Sequence, residues 1–288
     1  MEPSFEAVSN DQKSGAYVAI KVCTREQEDD FNNQAKNEIA VCRVLQAGDD
    51  QHIGKNFVRL LKDSFVVEDI SPNNILTGVT DPSLFSELEE AETNHPAPRK
   101  VLESRVIYGS RTLPITNGPP VLSDFGSARI GAVHRGDVMP DFYRAPEVIL
   151  GMEWGSKIDI WAAGVMMWDL FQGCRLFFGL KNGVVDDEQH LAEMVALLGP
   201  PPKSFLERSE ACKKYWDSEG NWIASTPIPD VTLEMRERYL EGVEHDRFIE
   251  FARGILQWLP EDRPTAIQIV ESDYLMELHR TSAESKLE

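Results

Sequence analysis

Val121-Leu122-Ser123-Asp124-Phe125-Gly126 is followed along the chain by Tyr143-Arg144-Ala145-Pro146-Glu147 and then by Asp159-Ile160-Trp161-Ala162-Ala163-Gly164. The first stretch reads as a short apolar strand ending in a carboxylate, with a glycine to free the next turn. A hard oxygen donor placed there suits a magnesium ion. The third lies in the run Ile158 to Phe171, apolar on nearly every side, which predicts a helix buried within a domain. Singly these signals are weak: Asp-Phe-Gly is by default an ordinary turn, and Asp159 an ordinary helix cap. Their order along one chain gives them weight.

Working outward, the composition is that of a globular protein, with 42% apolar and 27% charged residues in 288. Charge is lopsided: 29 Lys+Arg against 48 Asp+Glu leave a net −19. That argues against direct nucleic-acid or anionic-membrane binding and favours cationic partners. Cys23, Cys42, Cys174 and Cys212 are scattered without a Cys-x-x-Cys pair, so neither a disulfide framework nor a zinc site is indicated. Ile158 to Phe171 is too short to span a bilayer, and the start of the chain has no basic-then-apolar secretory pattern. A cytoplasmic or nuclear location is expected, with reduced thiols.

Upstream, Tyr17 to Val22 and Phe57 to Leu61 predict strands, and Phe31 to Leu45 a helix. Residues 77–118 form an insert, with an acidic helix over Leu84 to Thr93 broken by His95-Pro96-Ala97-Pro98. Downstream, Leu191, Met194, Val195 and Leu198 form a helical stripe stopped by Gly199 and three prolines, and Phe248 to Leu256 repeat with helical spacing. Thr265-Ala266-Ile267-Gln268 predicts a capping box. Few strands early and many helices late imply an α+β chain, a small mixed lobe followed by a mainly helical one.

With Val18-Ala19-Ile20-Lys21 and Asp69-Ile70-Ser71-Pro72-Asn73-Asn74 added upstream, the ordered set resembles the eukaryotic protein kinases. It is most similar to the SR-protein kinase-like serine/threonine kinases of fungi, over about residues 15–277. The resemblance implies a two-lobed fold: a tail over 1–15, a partial small lobe over 16–65, a large lobe over 66–280 holding the insert, and a tail over 281–288. It implies transfer of the ATP γ-phosphate, with Mg2+, to hydroxyls of a basic or Ser/Arg-rich protein. Lys21 would hold the α- and β-phosphates and Glu38 would hold Lys21. Asp69 would accept the substrate hydroxyl proton, and Asn74 and Asp124 would bind metal. Arg144 and Glu147 belong to the activation segment, where Glu147 and Arg263 resemble a buried ion pair. Asp159 resembles a buried acid that holds the catalytic loop. Between Asp124 and Glu147 the only hydroxyls are Ser127 and Tyr143, and Glu68 stands where the family carries an arginine that reads a phosphate. Loop phosphorylation is therefore not expected to be the switch, and Arg144 is expected to cap a neighbour within the segment.

The departures cluster around the phosphates. Gly15 is the only glycine in residues 1–21, so the Gly-rich loop that covers the phosphates is missing. Val67, Ser71 and Pro140 replace the family's histidine, lysine and threonine near Asp69. The family also places a strand, a hinge and two helices between the positions of Phe65 and Asp69. Here those residues are four steps apart, at most roughly 14 Å of extended chain. Three readings stay open on sequence alone: an active kinase, a kinase-derived interaction module, and a chain that has lost an internal block.

Overall fold

The computed structural model describes residues 5–10, 17–21, 40–41, 44–45, 74–102, 106–109, 111, 117–123, 128–129 and 131–284. They fall into two compact units, one of residues 1–68 and 73–128, the other of 69–72 and 129–288. The predicted strand Phe57 to Leu61 lies outside the described residues. So does most of the helix Phe31 to Leu45, of which Ala40, Val41, Val44 and Leu45 are helical.

In the first unit β1 (Phe5–Asn10) pairs antiparallel with β2 (Tyr17–Lys21), in a register that sets Phe5 opposite Lys21. β3 (Ile75–Thr77) pairs antiparallel with β6 (Pro120–Leu122). Between them lies the insert, made of helix α1 (Ser83–Asn94) and a hairpin of β4 (Arg99–Val101) and β5 (Val106–Tyr108). The predicted acidic helix is α1, closed by His95 ahead of the prolines. Among the described residues from 74 to 138, no side chain is buried.

The second unit holds the core. Its axis is α3 (Lys157–Gln172), preceded by the single turn α2 (Pro146–Ile149) and closed by Gly173 at φ 64°. The hairpin β7 (Leu180–Lys181) and β8 (Val184–Val185) turns through Asn182 and Gly183, both at positive φ, as a two-residue turn matched to strand twist requires. α4 (Asp187–Leu198) is capped by the Asp186 side chain, which accepts from the Gln189 amide at 2.8 Å, and stops at Gly199. The short turns α5 (Lys203–Leu206) and α6 (Leu233–Arg236) lead to α7 (Gly242–Ile255). Thr265 and Gln268 form the expected capping box at α8 (Ala266–Val270), and α9 (Asp273–Glu284) follows.

α3 buries Ile158, Trp161, Ala162, Val165 and Trp168. The Trp161 ring stacks on Phe177 and the Trp168 ring on Phe248. The expectation of a helix buried on nearly every side is corrected at its far end, where Leu170 and Phe171 are exposed. Among the described residues, no helix is long and apolar enough to cross a membrane.

At Gly164 the end of α7 packs close against α3. A Cβ there would lie 2.7 Å from Ile255 Cγ2 and 3.1 Å from Leu256 Cδ2. Two effects compete in Gly164→Ala: about 1 kcal/mol of helix propensity gained, and about 1–3 kcal/mol of overpacking against a stiff β-branched neighbour. The clash wins, so Gly164→Ala should lower the urea-unfolding free energy by about 1 kcal/mol. A stabilised variant would refute this close approach.

Candidate functional site

β3 and β6 form a stem. Asn74, a candidate metal ligand, directly precedes β3, and its carbonyl accepts the Ser123 amide at 2.8 Å and the Ser123 hydroxyl at 3.0 Å. Ser123 is the residue before Asp124. At the other end the Gly78 amide donates to Pro119 O at 3.0 Å and starts the insert. The insert is clipped by Arg111, whose Nε donates to Glu92 at 2.7 Å and whose Nη2 donates to the carbonyls of Ala91 and His95 at the end of α1. A cation on these carbonyls satisfies the helix end and opposes its dipole. The same guanidinium holds the Glu92 carboxyl below its ordinary range.

The structure places the sequence candidates unequally. Lys21 is the last residue of β2, its backbone paired with Phe5. Glu38, Asp69 and Asp124 lie outside the described residues. Of the described candidates, Lys21 and Asn74 belong to the first unit and Arg144 and Glu147 to the second.

The second unit presents residues 131–147 as a segment pinned at several points. His134 and Trp154 exchange backbone hydrogen bonds at 2.8 and 3.0 Å, and the Trp154 indole donates to Gly136 O at 2.9 Å. Met139 takes φ 72°, a left-handed conformation rare for a side chain of its size. The Arg144 Nε donates to its carbonyl at 3.4 Å. The Arg144 guanidinium also pairs with Asp137 at 3.1 Å and Asp141 at 2.9 Å, so it caps neighbours within its own segment, as expected. The Tyr143 hydroxyl donates to Asp169 on α3 at 2.9 Å, and the Leu176 amide donates to the other oxygen of Asp169 at 2.8 Å. Burial raises the phenol of Tyr143, helped by its bond to Asp169, and burial raises Asp169 despite both bonds. Arg175 lies over the Phe142 ring, 3.8 Å from its centre.

The segment ends at a buried ion pair. Glu147 and Arg263 meet through two bonds of 2.7 Å, with side chains 1% and 0% exposed. Asp159, in contrast, is exposed in the first turn of α3, three residues past the Ser156 cap. Sequence reading missed Asp169, Asp137 and Asp141 as partners. The available signal was Asp169 itself, a carboxylate in an otherwise apolar run, which burial tolerates only with donors at hand.

A family model described as the protein kinase domain matches residues 114–275. The chain belongs to the protein kinase family. A serine/threonine protein kinase of Aspergillus fumigatus is 46% identical over 312 aligned positions, covering 90% of this chain and 78% of that protein. The serine/threonine-protein kinase ppk5 of Schizosaccharomyces pombe is 28% identical, over 92% of this chain and 33% of its own length. The serine/threonine-protein kinase SRPK of Physarum polycephalum is 32% identical, over 72% of this chain and 50% of its own. The lineage is thus that of the serine/threonine kinases, with SR-kinase relatives among its matches. The alignment with the Aspergillus kinase runs to 312 positions but takes in only 90% of the 288 residues, so within it that relative carries residues that have no counterpart here.

Two outcomes follow for the second unit. Arg263→Ala strands the Glu147 carboxylate in the core and should cost about 3–5 kcal/mol in urea unfolding. A loss below about 1 kcal/mol, the value of an exposed pair, would deny the pair its role. His190 on α4 is buried, with no hydrogen-bond partner on Nε2. Burial pushes its imidazole down to about 3 from an ordinary 6.5, with the Arg144 charge adding to the effect. The unfolded chain therefore takes up a proton below 6.5 that the folded chain refuses until about 3. Stability is complete above that window and falls as pH drops through it, by at most about 1.4 kcal/mol per pH unit. Urea midpoints measured near neutrality and at mildly acid pH should diverge, and His190→Leu should narrow the difference.

Proposed function

We infer that this kinase transfers the γ-phosphate of ATP to serine or threonine hydroxyls of basic, Arg/Ser-rich proteins. The observation that carries the reading is the β3–β6 stem, which ties Asn74 to the residue before Asp124. In this reading the Asn74 amide oxygen and the Asp124 carboxylate hold the metal, both being hard donors of the kind that Mg2+ takes. The family uses ATP and a divalent metal generally; bound here, the metal would neutralise phosphate charge. Lys21 holds the α- and β-phosphates in this reading, Glu38 orients Lys21, and Asp69 accepts the proton of the substrate hydroxyl. Arg144 and Glu147 shape the segment on which the substrate rests. The net charge of −19 favours a cationic substrate, and the match to SRPK of Physarum polycephalum supports the Arg/Ser-rich class. Residues 16–65 then serve as a partial small lobe and 66–280 as the large lobe, in a cytoplasmic or nuclear protein.

A second reading has its own support. The Gly-rich loop is missing, and the Aspergillus relative carries residues which this chain lacks. Both favour a kinase-derived interaction module, or the product of a message that has lost an internal block. Mg-ATP separates these readings. Saturating nucleotide, at a hundred times its Kd, should stabilise a nucleotide-binding chain by about 2.7 kcal/mol, read as a rise in Tm. Asp69→Ala should then reduce phosphate transfer to a basic Ser-rich peptide by roughly two to four orders of magnitude. An unmoved Tm establishes the second reading, and transfer that survives Asp69→Ala removes that residue as the base.

A further inference from the structure

The stretch from Gly131 to Asp137 buries none of its side chains. A stretch without buried area has little of its own to resist local opening. Three consecutive residues of the loop between α2 and α3 nevertheless meet it along its length. The Arg135 guanidinium reaches Glu153 at 3.0 Å. His134 and Trp154 form a single antiparallel bridge, with their ring centres 4.9 Å apart. The Trp154 indole donates to Gly136 O at 2.9 Å. Gly155 passes so close that a Cβ there would lie 2.6 Å from Ala132 O.

These contacts are unequal. The side chains of Arg135 and Glu153 are both more than half exposed, and such a pair contributes little. Trp154 belongs to the core and is 6% exposed, yet its N–H serves a carbonyl of the exposed stretch. A buried indole needs a partner for that N–H, so the bond that satisfies the core also fixes Gly136. The next residue, Asp137, pairs with Arg144. One line of contact therefore runs from the core through the indole to Gly136, and on to the carboxylate that meets Arg144.

We propose that Trp154 is a positioning residue for the protein substrate: its indole N–H, with Gly155 admitting the close approach, straps residues 132–136 to the second unit and thereby sets the segment on which the substrate rests. The inference rests on the reading of phosphate transfer in its kinetic half only. In that reading Lys21, Asn74 and Asp124 hold ATP and metal, so a loosened strap acts on the protein substrate and not on the nucleotide.

Two variants of the full 288-residue chain test it. Trp154→Phe keeps a ring and removes the N–H. Gly155→Ala sets a Cβ against a backbone oxygen that cannot swing away, and leaves the core indole intact. Each should raise the KM for a basic Ser-rich peptide roughly tenfold, as misplacement of a substrate-orienting group does, with the KM for ATP unchanged. Each should also speed tryptic cleavage after Arg135 roughly tenfold, ahead of any cut within α3 to α9, because the change is a local opening. A KM for ATP that rises in step with the peptide KM would overturn the proposal. So would cleavage at Arg135 that keeps its original rate, or that accelerates only together with cuts throughout the second unit. If the unaltered chain transfers no phosphate, the catalytic reading falls, and cleavage at Arg135 alone decides whether the strap exists.

Discussion

The second unit is organised around one guanidinium. All five N–H groups of Arg263 are used: Nε donates to Gln257 O, Nη1 to Glu147 and to Lys157 O, and Nη2 to Glu147 and to Trp258 O. The guanidinium carbon also lies 5.0 Å from the centre of the Trp161 ring. A charge this deep in the core is tolerable only when every donor is answered, because the desolvation cost is otherwise not recovered. The residues that answer come from α2, from the first turn of α3 and from the loop after α7. Satisfying one side chain therefore fixes three parts of the chain against each other. The fixed fork geometry of arginine makes this possible, and a lysine, with three donors on a flexible stem, cannot reproduce it.

From that tether the preceding segment follows. Glu147 sets where the segment ends, and Tyr143, four residues earlier, is drawn against α3 and bonded to Asp169. Arg144 turns the other way and meets Asp137 and Asp141. A phosphate-ordered segment would leave such an arginine facing an added anion. Here two carboxylates of the segment itself already face it. Tyr143 is buried and hydrogen-bonded, so one of the two hydroxyls between Asp124 and Glu147 is withdrawn from modification. Order in this segment comes from its own residues.

The elements most legible in the sequence are those set by local chemistry. The Thr265–Gln268 box, the Gly199 stop, the break at His95 and the strand before Asp124 depend on residues within a few positions of each other, and each forms as read. The Glu147–Arg263 pair spans more than a hundred residues, and only the resemblance pointed to it. Illegible were the contacts in which a polar group finds its partner through packing. Asp169 is a charge in an apolar run, but its two donors come from either side of it in the chain, Tyr143 and Leu176. Asp159 was misread because its neighbours suggested burial and capping, whereas the helix begins two residues earlier. For α3, a pattern apolar on every side reports what the helix was built to touch, and the chain as it stands leaves Leu170 and Phe171 in water.

That discrepancy connects the two units. From residue 74 onward, every buried side chain among the described residues lies at Met139 or beyond, in the second unit, while Lys21 and Asn74 belong to the first. Burial of apolar area is the main source of folding free energy, so the unit that holds the core can be stable whatever becomes of the phosphate-handling residues. Positioning of ATP needs groups held to fractions of an ångström, and the missing Gly-rich loop removes one set of them. The segment anchored through Glu147, Tyr143 and Arg144 depends only on its own unit, because Arg263 and Asp169, which hold it, lie there too.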